Sequence, residues 1–104
     1  MKALRSLAGV IRSKNSSPFE LALDILFRDR KDYDRAKAKR VVTEGMIAKA
    51  YGVPWERIKE VIYFDPGKAI KISMERAVQA GTEGDTDVYG AQQHAPLLDM
   101  EVDL

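Results

Sequence analysis

The sequence predicts a single α+β domain over residues 1–104, with one antiparallel sheet, helices on one face and a ferredoxin-like character. Three observations lead there. Residues 19–28 alternate with period 2, setting Phe19, Leu21, Leu23, Ile25 and Phe27 against Glu20, Ala22, Asp24, Leu26 and Arg28. Two segments of helical spacing follow, each opened by a good N-cap, Asp29 and Thr43. A β-branched and aromatic run, 60–64, and an alternating run, 70–75, then flank the turn Asp65-Pro66-Gly67-Lys68.

The elements are read in order. Leu4, Leu7, Ala8 and Ile11 suit a helix face, whereas Gly9 and the Val10-Ile11 pair favour extended chain. A short helical turn over 4–7 and a strand to about Ser13 satisfy both. Asn15-Ser16-Ser17-Pro18 is then the turn of a hairpin with the strand that starts at Phe19. In the first longer helix Asp32 sits where the dipole favours it, and Tyr33, Ala36, Lys37 and Arg40 share a face. In the second, Met46, Ile47, Ala50 and Tyr51 form the buried face, Gly52 ends the helix, and residues 54–58 add one more turn. Ile70, Ile72 and Met74 alternate with Lys71, Ser73 and Glu75 as a half-exposed strand. Residues 86–94 read as a helical turn or ordered loop, and 97–102 as a last short strand. The order is β-β-α-α-β-β-(loop or helix)-β.

Composition narrows the function classes. Hydrophobic residues make up 45% of the chain, enough for one core and against disorder. Cysteine is absent, which excludes a disulfide scaffold, a zinc finger and cysteine catalysis. Arg5 and Arg12 interrupt any signal-length apolar run, and no stretch approaches the roughly 20 apolar residues of a membrane span. A cytoplasmic protein is expected. All 17 basic residues lie at or before Arg76, while Glu83, Asp85, Asp87, Asp99, Glu101 and Asp103 follow it. That polarity suits a tail packed beside its own basic body, or a basic surface for an acidic ligand.

Two polar segments carry the candidate chemistry. Arg12, Lys14, Asn15, Ser16 and Ser17 offer cations, an amide and hydroxyls at a hairpin tip, a set able to hold a carboxylate or phosphate. The alternative is a solvated turn in which Asn15 and Ser16 bond their own backbone. The glycines of a phosphate loop are absent. In the last quarter His94, the only histidine, stands beside Gln92 and Gln93 and could bind a carbonyl or act as acid or base. Asp85 and Asp87 could orient it. A metal on His94, Asp85 and Asp87 lacks a second histidine, so the expectation is no metal and no cofactor. Trp55 and Tyr89 suit either interface anchors or core packing. The basic segment 30–40 is interleaved with Asp32 and Asp34 and has no stacking platform, which argues against nucleic acid.

Ser13-Lys14-Asn15 and the run Asp87-Val88-Tyr89-Gly90-Ala91-Gln92-Gln93-His94-Ala95-Pro96, with Tyr51-Gly52-Val53-Pro54 and Phe64-Asp65-Pro66 between them, resemble a bacterial and archaeal family of small uncharacterised proteins. Where that family carries Ala-Gly after the asparagine, this chain carries Ser16-Ser17. The family is similar to the small C-terminal domain associated with acyclic terpene utilisation protein A. The resemblance implies a ferredoxin-like fold and a large metabolic partner acting on organic acids or their CoA thioesters. The first expectation is an accessory subunit of such a protein, with Arg12, Lys14 and Asn15 binding an anionic group and Gln92, Gln93 and His94 completing the site or interface. A second is a self-contained oligomeric hydratase or lyase using His94, Asp85 and Asp87, with Arg12 or Lys14 clamping a carboxylate. A third is a structural interaction module without ligand. Sheet edges also favour homo-oligomers.

Overall fold

The computed structural model of the chain describes residues 1–17, 19–75, 95–98 and 100–104. Strand β1 (Lys2–Ala3) runs into the helical turn α1 (Leu4–Leu7) and the long strand β2 (Ala8–Ser17). Strand β3 (Glu20–Phe27), helices α2 (Arg30–Lys39) and α3 (Glu44–Tyr51), and strands β4 (Ile58–Phe64) and β5 (Ala69–Glu75) follow. The helical turn α4 (Ala95–Leu98) and strand β6 (Glu101–Val102) close the chain.

The fold is α+β with antiparallel sheets, and the sheets are two. Four strands form the main sheet in the order β2-β3-β5-β4, while β1 and β6 pair separately. The single sheet expected from the sequence is therefore corrected, because the last strand does not join the others. It pairs with the first residues of the chain, Lys2 opposite Val102 and Ala3 opposite Glu101. The two-sheet arrangement does not confirm the ferredoxin-like expectation. The main sheet is two hairpins, β2-β3 and β4-β5, joined by the pair α2-α3.

The alternation of residues 21–27 holds. Leu21, Leu23, Ile25 and Phe27 are buried, as are Ile70, Ile72 and Met74 on β5. Each fully buried aliphatic side chain is worth about 1.5–3 kcal/mol relative to exposure, so this face is the main source of cohesion. Phe19 departs from the pattern: it precedes the first residue of β3 and is exposed. The turn also moves, since β2 continues through Asn15 and Ser16 to Ser17, which pairs with Glu20. Asn15, Ser16 and Ser17 are thus strand residues, and Pro18 lies outside the described residues.

Both N-caps form. The Asp29 carboxylate accepts from the Lys31 N–H at 2.9 Å, and the Thr43 hydroxyl accepts from the Met46 N–H at 3.3 Å. Gly52 ends α3 at φ 64°, a left-handed conformation that glycine adopts without steric cost. Arg40 ends α2 in the same region at φ 47°, with its guanidinium 5.4 Å from the centre of the Tyr63 ring. On α3 the buried residues are Ile47 and Ala48, with Met46 and Tyr51 packed at the edge of the core. Leu97 and Leu98 are helical rather than extended, and the last strand shortens to Glu101–Val102. Leu97, Val102 and Leu4 are fully buried together, tying both ends of the chain into one core.

Candidate functional site

The two faces of the main sheet differ sharply. One packs against the core. Register on the other lays out three rows across β2, β3, β5 and β4. The first is Val10, Leu26, Ala69 and Phe64; the second is Arg12, Asp24, Lys71 and Ile62; the third is Lys14, Ala22, Ser73 and Glu60. Val10, Ile62 and Phe64 are 44%, 43% and 43% exposed, unusual for large apolar side chains on a paired sheet.

Asp24 sits at the centre of this open face and is only 5% exposed. Cross-strand pairing explains its partners. Arg12 on β2 donates through Nε to Oδ2 at 3.0 Å, and Lys71 on β5 brings Nζ to 3.5 Å from Oδ1. Opposite charges placed across a ladder attract, and a covered carboxylate needs such partners. Both cations remain about half exposed, so Asp24 spends only part of their charge. Lys71 also lies over the Phe64 ring, 5.6 Å from its centre. Lys14 stands two residues beyond Arg12 on the same face, a spacing of about 7 Å, and has no ion-pair partner among the described residues. At the far end of the face Lys59 donates to Glu20.

Of the residues singled out in the sequence, Arg12 and Lys14 share this face. Asn15 does not, because it pairs with Leu21 and so lies at a core-side register. Asp85, Asp87, Gln92, Gln93 and His94 lie outside the described residues, as does Tyr89. Trp55 is in the single turn before β4 and is exposed rather than core. Sequence reasoning missed Asp24 and Lys71. The available signal was the second face of β3, where a carboxylate stands at mid-strand between Ala22 and Leu26.

A second polar cluster fastens α2 to the β4–β5 turn. The Tyr33 hydroxyl donates to Asp65 Oδ1 at 2.6 Å, Lys37 Nζ donates to both carboxylate oxygens at 2.9 and 2.8 Å, and Arg30 donates to the Asp65 carbonyl at 2.8 Å. Lys37, and then Tyr33, hold the Asp65 carboxyl below its ordinary value of 3.8. Burial, reinforced by Asp65, pushes the Tyr33 phenol up. A carboxylate whose folded pKa is depressed adds stability that is fully present above the unfolded value and is lost as pH falls through the folded one. Asp65→Asn is therefore expected to flatten the loss of stability that begins near pH 3.8 and continues below it, a difference read from urea midpoints measured along an acid series.

One cleft of about 380 Å³ opens between α3 and the approach to β6, lined by Met46, Lys49, Ala50 and Met100. Among the described residues no three acidic or histidine groups are placed to hold a metal ion. No described helix is long and apolar enough to cross a membrane.

No curated protein and no solved structure matches the chain. A family model described as a domain of unknown function, DUF4387, matches residues 4–101, and that span takes in both hairpins, the helix pair and the open face. The chain belongs to the DUF4387 family.

Proposed function

We propose that the chain is a small accessory subunit that works by binding, pairing with a large protein of the acyclic terpene utilisation type in the breakdown of a carboxylic acid or acyl-CoA. The observation that supports this reading is the open sheet face. It carries a nearly covered carboxylate, the half-exposed cations Arg12 and Lys71, Lys14 with no ion-pair partner among the described residues, and three exposed large apolar side chains. Apolar side chains ringed by charge are the usual makings of an assembly surface. Small ligands are held in concave sites that bury most of their surface, whereas this face is one side of an open four-stranded sheet. The anionic groups it meets are then carboxylates of a protein rather than a free small acid.

Size-exclusion chromatography with the large protein tests the pairing. Co-elution with the wild-type chain, and a change in the large protein's activity on adding it, are the expected results. Separate elution together with unchanged activity overturns the reading.

A further inference from the structure

We infer that the open face of the main sheet is covered by a second copy of this chain, in a two-fold, face-to-face dimer. The inference rests on the reading of that face as an assembly surface and commits the face to a second copy, which leaves a large protein to meet the dimer at the sheet edges or the helices.

The argument is one of self-complementarity. A two-fold axis makes an interface isologous, so whatever lies at one position must suit what lies at its mate. Consider an axis parallel to the strands, midway between β3 and β5, the two inner strands of the sheet. It lays β2 over β4 of the second copy and β3 over β5, and keeps each row opposite itself. Val10 then meets Phe64 of the second copy, apolar on apolar, and Leu26 lies over Ala69, which its own chain already covers. Lys14 meets Glu60, cation on anion, and neither has an ion-pair partner among the described residues of its own chain. Asp24 meets Lys71, so the axis is ringed by four charges of alternating sign. The methylene stem of Arg12 covers Ile62. The one like-charge meeting is in the next row, where Glu20 faces Glu75 of the second copy, and there Lys59 donates to Glu20 of its own chain.

Stacked sheets pack about 10 Å apart with strands near −30°, an offset that the long side chains of Lys14 and Glu60 span at the corners. A sheet face of four strands is about 20 Å across and, at about seven residues, about 24 Å long, a footprint at the small end for a stable pair. A reversible dimer is therefore expected, visible as a mass that rises with concentration.

Sedimentation equilibrium of the full chain tests this, with circular dichroism to confirm that each variant is folded. Wild type is expected to dimerise and Phe64→Glu to be monomeric. Lys14→Glu and Glu60→Lys, both at exposed positions, each make two repulsive contacts per dimer and are expected to weaken it about tenfold. The decisive arm is their mixture. In the mixed dimer both contacts become attractive, so it is expected to form more tightly than either variant with itself. A wild-type chain that stays monomeric, a dimer indifferent to Phe64→Glu, or a mixture no tighter than its parts overturns the inference. Co-elution with the large protein separates the two proposals. If Phe64→Glu abolishes co-elution and wild type is monomeric, the accessory reading stands and the second copy falls. If the dimer forms and the large protein does not bind, the reverse holds.

Discussion

Tyr33→Ala is expected to cost about 3–5 kcal/mol, the range for deleting a large aromatic from a packed interior. Tyr33 is fully buried and is the largest such side chain among the described residues. Its ring meets Phe27 edge-on, with centres 5.9 Å apart, and so joins α2 to β3. Its hydroxyl reaches through the core to Asp65 in the β4–β5 turn. Truncation therefore opens a cavity under α2 and releases the turn at the same time. For a domain of this size a loss of that order lowers the melting temperature by about 15–30 °C. Tyr33→Phe keeps the ring and removes only the reach to Asp65. It is expected to lose far less, and the loss should shrink in acid, where a protonated Asp65 still accepts the bond but without charge assistance. Thermal melts of both variants at neutral and acid pH check this; equal losses for Ala and Phe would mean that the hydroxyl, not the ring, holds α2.

Tyr33 also shows what the sequence makes legible. Its place on a helical face with Ala36 follows from spacing alone, and both are buried. The caps at Asp29 and Thr43 and the stop at Gly52 follow from side-chain chemistry that acts within a few residues. The alternation through 21–27 is equally local. What periodicity cannot carry is which strand pairs with which across the chain. The β1–β6 pair depends on contact between residues a whole chain length apart, and Leu97 is held helical by the core it enters. The hairpin tip moved because Asn15 and Ser17 pair with Leu21 and Glu20, an extension of the ladder that outweighs the turn preference of Asn-Ser-Ser.

The candidate site was half legible for the same reason. Arg12 and Lys14 stand out as residue types, and their spacing of two puts them on one face of any strand. Asn15 belongs with them only in a turn, and the extended segment turns it to the other face. Asp24 and Lys71 belong to the site through register across three strands, and register is not a property of any one segment.

That register makes Asp24 the test of how the open face is held. Removing its partners is expected to cost more than removing Asp24 itself. With Arg12→Met and Lys71→Met together, a carboxylate that is 5% exposed loses both cations, and a stranded buried charge costs several kcal/mol. Solvent at the rim reduces this to about 2–3 kcal/mol. Asp24→Leu alone leaves Arg12 and Lys71 about half exposed and able to solvate, so its cost is expected to stay under about 1 kcal/mol. Adding Asp24→Leu to the double variant replaces the whole ionic row by apolar side chains of similar length and is expected to restore most of the loss. Urea denaturation at concentrations low enough to keep the chain monomeric isolates this from assembly. The pattern to look for is a triple variant more stable than the double. If the double variant is as stable as wild type, Asp24 is solvated and does not hold the two cations in place; if the triple is no better than the double, the stem packing of Arg12 and Lys71 matters more than their charge.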